Sequence, residues 1–435
     1  MANIITPRRL AGFLELDPIR QIEFDNMVSK IKEVFARHCF VPLDTPVLEL
    51  SEILLAKSGG DIDKEIFRFT KGSTDMCMRY DLTVPLARYV AMNLNEINFP
   101  FKRYQIGKVY RGERPQKGRF REFTQCDADI IGSGELSIVN DAECISLYID
   151  CFKALNLDVT VEISNRKLIN GLISDLKLES NSELIFKTLD KLDKIGSDEV
   201  VNILVENGIT QKAANLLLQV GKINGNLKTI LPQIESLSKN EEYVLAINEL
   251  KELNSYLIAM GINENNFTYN LSIIRGHNYY TGTVFEAYLN GHRDFGAVGA
   301  GGRYDNLSSY YTETKLPGVG MSIGLTRLFD LLSSNNLLPE AKKSNINVLI
   351  IPIGDSILQS IELCKTLREN DILVDVSAEN KSFKSKLKDA NKREVPYIII
   401  LGEDEAKSKI YTLKDMSSGA QFKLDAKELI KKLKN

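Results

Sequence analysis

Tryptophan is absent from this 435-residue chain, and histidine occurs only as His38, His277 and His292. The six cysteines (Cys39, Cys77, Cys126, Cys144, Cys151 and Cys364) form no CxxC pair and no regular framework. These shortages argue against a zinc site, which wants Cys or His at short regular spacing, and against a disulfide-stapled secreted module. The thiols read as reduced core filler, which suits a cytoplasmic protein. No stretch approaches the ~20 apolar residues of a membrane span, and the start carries Arg8 and Arg9 where a signal peptide needs an apolar run. No GxxxxGK[ST] loop occurs, so any nucleotide is not cradled in the P-loop manner. There is no internal repeat, no low-complexity tract and no kinase-type HRD or DFG set. A formal charge of −3 supplies no global attraction for nucleic acid, so RNA contact would need local basic patches.

What is present is a composition of 43% hydrophobic and 26% charged residues, that of a globular protein. The length implies two or three domains. One basic patch stands out: Lys102, Arg103, Lys108, Arg111, Arg114, Lys117, Arg119 and Arg121 face the single acid Glu113.

Along the chain, Phe24, Met27, Val28, Ile31, Val34 and Phe35 recur at helical spacing and predict a helix ending near His38. Val41 to Leu50, interrupted by Pro42 and Pro46, reads as an edge or interface strand. Lys102 to Ile131 predicts a long antiparallel hairpin, with strands Tyr104 to Tyr110 and Phe120 to Ile131 around the polar turn Gly112 to Gly118. Residues 165–264 change character, with helical periodicity in Ile185 to Ile195, Val200 to Val205 and Ala213 to Val220, and predict a mostly helical insertion. Strand character returns at Phe267 to Ile274 and Thr283 to Tyr288. A glycine-rich stretch runs from Gly296 to Gly302, in which Gly299-Ala300-Gly301-Gly302 is a weak nucleotide signal and reads as a tight turn or as close backbone packing. After a polar linker, Val348 to Ile353, Leu373 to Val376 and Tyr397 to Leu401 alternate with helical patterns, which implies a small α/β domain with a mainly parallel sheet. The expected division is 1–164 and 265–338 for a split core, 165–264 for the insertion and 345–435 for the terminal domain.

Five segments carry chemistry. Tyr110-Arg111-Gly112-Glu113-Arg114-Pro115-Gln116-Lys117-Gly118-Arg119-Phe120-Arg121-Glu122-Phe123-Thr124-Gln125 spaces arginines along strand arms, where planar guanidinium groups can present paired donors to phosphate oxygens. It resembles motif 2 of class II aminoacyl-tRNA synthetases, in the histidyl form. Ile274-Arg275-Gly276-His277-Asn278-Tyr279-Tyr280-Thr281-Gly282 resembles the histidine-specific signature RGLDYYTG of histidyl-tRNA synthetases, departing from it at His277 and Asn278. Gly301-Gly302-Arg303-Tyr304-Asp305 is similar to a GGRYD segment beside the same pocket. Gly318 to Arg327 resembles motif 3, a strand running into a helix with a terminal arginine. Arg79-Tyr80-Asp81-Leu82-Thr83-Val84-Pro85 resembles the segment that binds the substrate amino group, and Phe24 to Leu50 resembles motif 1, the usual dimer interface. The resemblance spans nearly the whole chain, in the family's order.

The resemblance implies an α+β fold: a class II antiparallel-sheet catalytic core with a helical insertion, followed by a C-terminal α/β anticodon-binding domain. It implies a homodimeric enzyme that joins L-histidine to tRNA(His) at the expense of ATP, with Mg²⁺ arriving on the nucleotide and no protein-held metal. Carried over residue by residue, Asp81, with Leu82, Thr83 and Gln125, receives the histidine ammonium. Asp129 and Tyr280 read the imidazole, with Tyr279 alongside. A donor and acceptor pattern of this kind rejects other side chains because unpaired buried polar groups cost ~1 to 3 kcal/mol each. Arg111 and Arg275 hold the α-phosphate and carboxylate and are the catalytic pair. Phe123 stacks on adenine, Glu113 meets the adenine edge or the phosphates, and Arg121 and Arg327 grip the outer phosphates. Arg114 and Gln116 reach the tRNA acceptor end, where Gln116 would meet the extra 5′ nucleotide. Lys381, Lys384, Lys386, Lys388, Lys392 and Arg393 make a basic helix that either meets RNA backbone or is a solvated face. Two other readings stand beside this one. The first is a synthetase-like regulatory subunit of ATP phosphoribosyltransferase in histidine biosynthesis, which would lack the terminal domain and erode the arginines. The second is a non-catalytic RNA-binding module, which would bring an added effector domain.

Overall fold

The structure is a computed structural model that describes residues 5–56, 65–116, 118–273, 279–338 and 344–434. Two compact units emerge from the packing: residues 1–15 with 26–337, and residues 16–25 with 338–435.

The first unit is organised by one large sheet. Its strands are β1 (Val41–Pro42), β5 (Phe101–Tyr110), β6 (Glu122–Ile131), β7 (Val159–Asn165), β8 (Asn224–Gly225), β9 (Phe267–Asn270), β10 (Thr283–Leu289), β11 (Gly299–Tyr304) and β12 (Gly318–Gly324). Their spatial order is β1-β5-β6-β12-β11-β10-β7-β9-β8. The run from β5 to β7 is antiparallel throughout, and β1 and β9 join it in parallel. Pro42 lies in the outermost strand, where a missing amide proton breaks no interior ladder. A separate small sheet, in the order β2-β4-β3, joins β2 (Leu48–Leu50), β3 (Arg68–Lys71) and β4 (Thr74–Met78).

The predicted hairpin is β5 and β6, ten residues each. Its register places Arg103 opposite Asp129, Gln105 opposite Asp127 and Gly107 opposite Gln125. Because side chains alternate across a strand, Gln125, Asp127 and Asp129 share one face of the sheet. The other face is covered by the helix Val139–Ala154, whose apolar residues, including Ile145, Leu147 and Phe152, are buried. The segment Gly299 to Gly302 is not a turn. It opens β11, an interior strand between β10 and β12, and its glycines let neighbours on both faces come close.

The inserted segment is helical, from Arg166–Asp175 through Glu241–Ala259, broken by the short β8. Side-chain caps start several of its helices: Asn165 accepts from Lys167 N, Thr210 from Ala213 N, and Asn240 from Glu242 N. Each satisfies an amide that a helix start leaves without an intrahelical partner.

In the second unit, β13 (Val348–Pro352), β14 (Val374–Val376) and β15 (Tyr397–Leu401) pair in parallel, and β16 (Tyr411–Asp415) and β17 (Gln421–Leu424) add an antiparallel hairpin. Val348 and Ile350 pack with Leu363 and Leu367, whereas Leu349 and Ile351 pack with Ala390 and Ile398. Burial on both faces explains why β13 reads as a continuous apolar run. Lys386 departs from the expected basic face. It is buried, with its ammonium on the Ser377 carbonyl at 2.8 Å, while Lys381 and Arg393 pair with Asp389 and Asp375. Lys384, Lys388 and Lys392 remain exposed. Among the described residues no helix is long and apolar enough to cross a membrane.

Candidate active site

A cleft of about 540 Å³ opens on the sheet face that carries Gln125, and is lined among others by Arg111, Glu113, Arg119, Phe123, Tyr280 and Arg327. Its floor is made of small residues, Gly299, Ala300, Ser322 and Gly324, because four adjacent strands must pass beneath the space without filling it. Two glycines beside it are needed for close approach. A Cβ on Gly320 would lie 2.1 Å from Asp129 Oδ1, and one on Gly302 would lie 2.9 Å from the Tyr280 ring.

At one end of this face the carboxyl groups gather. Asp81 precedes the helix Thr83–Met92 and accepts from Val84 N at 3.2 Å through Oδ1. Its Oδ2 is buried and has no hydrogen-bond partner among the described residues. Burial pushes its pKa up to about 6, against the opposing pull of Arg111. Asp129 accepts from the Tyr304 hydroxyl at 2.7 Å and lies 2.6 Å from the Arg103 guanidinium. Burial still raises its pKa, outweighing both partners. Arg103 is itself fully buried and donates to the Leu82 carbonyl at 3.0 Å, which ties the hairpin to the Arg79–Thr83 segment. Tyr279 packs edge-on between the rings of Tyr280 and Tyr304, at 5.1 and 5.7 Å.

At the other end the cations gather. Arg111 donates to the Tyr80 carbonyl at 3.2 Å and lies over the Phe123 ring at 5.1 Å. Arg327 donates to the Phe295 carbonyl at 2.6 Å. Burial depresses its pKa and the neighbouring Arg119 depresses it further, opposed by Glu286. Arg119 pairs with Glu113 at 3.0 Å. A guanidinium pressed by a second one is a seat for an anion. The arrangement therefore offers positive charge suited to a polyanion at one end and acceptors suited to a small molecule with several N–H donors at the other, with an aromatic face and Arg111 between them.

The residues matched by the family model of histidyl-tRNA synthetase are 12–328. The chain belongs to the histidyl-tRNA synthetase family. Residues 347–435 match the model of an anticodon-binding domain. The histidine–tRNA ligase of Clostridium tetani is 43% identical, over 100% of this chain and 99% of that one. That of Finegoldia magna is 41% identical, over 99% and 100%. The solved histidyl-tRNA synthetase of Nostoc superposes with a TM-score of 0.90 at 32% identity, covering 99% of each chain. A Bacillus halodurans structure described as an ATP phosphoribosyltransferase regulatory subunit/histidyl-tRNA synthetase shares the fold, with a TM-score of 0.78 at 21% identity over 92% of this chain and 100% of that one.

For a histidyl-tRNA synthetase fold, the expected site residues sort as follows. Arg111, Glu113, Phe123, Gln125, Tyr280 and Arg327 line the one cleft. Asp81, Leu82, Thr83, Asp129 and Tyr279 are buried, and the Arg103 and Tyr304 contacts bind them to the same end of it. Arg114 and Gln116 are exposed at the hairpin tip, where Gln116 and Arg119 close the turn. Arg275, His277 and Asn278 lie outside the described residues. Arg121 does not line the cleft. Its Nε donates to the Glu113 carbonyl at 3.0 Å, and the adjacent N-terminal segment packs on its stem at Gly12. Arg119, two residues earlier in the same motif, is among the residues lining the cleft. Alternation could have found Asp127, because Gln125, Asp127 and Asp129 must share a face of one strand. Arg103 could be found only from the hairpin register. Arg303 of the GGRYD segment turns to the opposite face, where it pairs with Asp141.

Proposed function

We propose that the chain is a histidine–tRNA ligase, activating L-histidine with ATP to histidyl-adenylate and transferring it to the 3′ end of tRNA(His). The reading rests above all on one convergence: Arg111, Phe123, Gln125, Tyr280 and Arg327, drawn from distant segments, line one cleft beside the buried carboxyls of Asp81 and Asp129. In this reading Asp81, with Thr83 and Gln125, takes the ammonium, and Asp129 and Tyr280 take the imidazole. Phe123 stacks on adenine, and Glu113 meets the adenine edge or the phosphate arm. The histidine carboxylate attacks the α-phosphorus and pyrophosphate leaves; a ribose hydroxyl of the tRNA then attacks the acyl carbon and AMP leaves. Arg111 and Arg275 neutralise the charge that builds at the α-phosphate, while Arg119 and Arg327 hold the departing phosphates. Such chemistry needs positioning and fixed positive charge rather than a dedicated base. Mg²⁺ enters with ATP as part of that substrate.

The exposed tip carrying Arg114 and Gln116 suits the acceptor end of the tRNA. Residues 345–435, with Lys384, Lys388 and Lys392 exposed, suit the anticodon arm. A shallow groove of about 540 Å³ lined by Pro46, Leu50, Ile53, Met92 and Tyr310, with Met92 72% exposed, suits burial against a second copy, as expected of a homodimer working in the cytoplasm. A regulatory subunit has no use for both the retained arginines and an anticodon-binding domain, so the ligase reading is favoured.

Charging of tRNA with labelled histidine tests the reading directly. The Arg111→Ala variant is expected to lose ~10²- to 10³-fold in histidine-dependent pyrophosphate exchange, the usual consequence of removing one fixed donor to a developing charge. Near-full exchange by that variant would refute the assignment of Arg111.

A further inference from the structure

The sheet face under the amino-acid end of the cleft carries one acid more than the roles above require. Asp127 stands between Gln125 and Asp129 on β6, opposite Ser322 on β12 and Gln105 on β5. It is 3% exposed, and its Oδ1 has no hydrogen-bond partner among the described residues. Several groups around it are already engaged, although Nε and Nη1 of Arg103 make no hydrogen bond among the described residues and Ser322 bonds to the Asp127 carboxyl. Gln105 gives its amide to Asp44 at 2.7 Å and to Thr45 at 3.2 Å, and Gln125 gives its amide to the Ser322 hydroxyl at 2.9 Å. Arg103 lies 2.6 Å from Asp129. Asp129 has Tyr304 on one oxygen and Arg103 beside the other. In the empty site Oδ1 of Asp127 is thus a buried acceptor awaiting a donor. A group so placed costs free energy unless it is protonated or a ligand completes it.

The charges facing Asp127 define what completes it. Asp129 and Asp81 oppose its ionisation and Arg103 and Ser322 favour it, but burial dominates and pushes its pKa up to about 7. The Tyr280 hydroxyl also faces this cluster of acids. Three carboxyls of this end, Asp81, Asp127 and Asp129, share the described guanidinium groups of Arg103 and Arg111. A ligand that brings N–H donors and positive charge relieves the excess, and histidine brings both on its ammonium and its ring.

Resting on the ligase reading, we propose that Asp127 is a third carboxyl of the amino-acid subsite, holding a proton while the site is empty and releasing it to solvent when the N–H donors of histidine arrive. The proton passes from the carboxyl oxygen to buffer, and the carboxylate left behind accepts from the substrate. Histidine binding is thereby tied to pH through a residue of the protein as well as through the substrate's own ring.

The test is calorimetric titration of histidine into the full chain at pH 7 in two buffers of different ionisation enthalpy. About half a proton should leave per histidine bound, the protonated share of a carboxyl near its midpoint. Asp127→Asn, which keeps the shape, should release almost none, with its KM for histidine raised roughly tenfold and kcat for pyrophosphate exchange reduced less than that. Zero proton release by the unsubstituted chain that still binds histidine and exchanges pyrophosphate overturns the role of Asp127 and leaves the ligase reading standing, even if the variant fails to fold. Failure of the unsubstituted chain to bind histidine overturns both.

Discussion

Replacing Arg303 by methionine removes a guanidinium from the face of the sheet that the cleft does not use. Arg303 is 5% exposed and Asp141, its partner on the helix Val139–Ala154, is 0% exposed. The pair is bidentate, with Nε of Arg303 3.2 Å from Asp141 Oδ1. The same guanidinium also serves the carbonyls of Leu136 and Ser137 at 2.9 and 3.2 Å. Breaking a buried pair on one side strands the other charge and costs about 3 to 5 kcal/mol. An unfolding entropy of ~2.1 cal/mol/K per residue over a unit of ~330 residues gives ~0.7 kcal/mol/K, so Tm should fall by ~4 to 7 °C. Scanning calorimetry reads the shift, and pyrophosphate exchange well below Tm reads function. Because Arg303 points away from the cleft, the KM for histidine should stay within about threefold, a limit set by small shifts of the neighbouring Tyr304. Removing both partners, Arg303→Met with Asp141→Leu, should recover most of the lost stability, since an apolar replacement leaves no orphaned charge. Loss of exchange at unchanged Tm would refute the placement and return Arg303 to the substrate side.

Gly320→Ala should cost roughly 10²-fold in kcat/KM for histidine, because its Cβ would strike Asp129 at 2.1 Å and displacements near 1 Å carry costs of that order; an unchanged KM for histidine would show that Asp129 does not meet the substrate. Arg119→Ala should raise the KM for ATP roughly tenfold or more, whereas Arg121→Ala should lower Tm with a smaller change in that KM, and the reverse ranking would restore Arg121 to the phosphates. His38 bridges Glu143 at 3.3 Å and Asp150 at 3.1 Å. The Glu143 hydrogen bond leads in raising its pKa above the ordinary 6.5, burial opposes, and Asp150 adds to the rise. The bond to His38 leads in lowering Glu143 to about 2. The His38 contribution to stability is therefore complete below pH ~6.5 and fades as pH climbs through its raised value, while that of Glu143 fades as pH falls from its ordinary range towards 2. His38→Gln should accordingly lower Tm more at pH 6 than at pH 8.5, and equal losses at the two would sink this account.

The comparison of reading and structure turns on particular residues. Strands whose pattern is local were legible: β5, β6 and β13 to β15 fall where periodicity and turn residues put them, and β12 with the helix after it falls where the resemblance to motif 3 put them. The hairpin β16–β17 and the strands β3 and β4 were missed, since they are short and partly exposed and leave little alternation to read, whereas β2 falls within the strand read over Val41 to Leu50. Gly299 to Gly302 left turn and close packing open, and packing won: glycine carries no side chain from which burial could be inferred, so only the neighbours Tyr148, Tyr280 and Phe285 reveal why β11 must be bare. Lys386 was grouped with a basic face, yet its stem lies inside and its ammonium finds a carbonyl, a contact set by the fold of Ser377 and invisible in the run of lysines.

By itself the sequence determined the kind of chemistry and its cast, because guanidinium spacing, the paired tyrosines and the acids of Asp81 and Asp129 are covalent facts of the chain. It equally determined the alternation that puts Gln125, Asp127 and Asp129 on one side of β6. What only the tertiary structure decided is where like residues go: Arg119 into the cleft lining and Arg121 outside it, Tyr304 inward and Arg303 outward, Asp129 beside Tyr304 and Arg103 and Asp127 with Oδ1 wanting a donor. Those outcomes depend on strand register and on which neighbour supplies a partner within ~3 Å, and a hydrogen bond is lost within a fraction of an ångström of misplacement, a precision that no one-dimensional pattern carries.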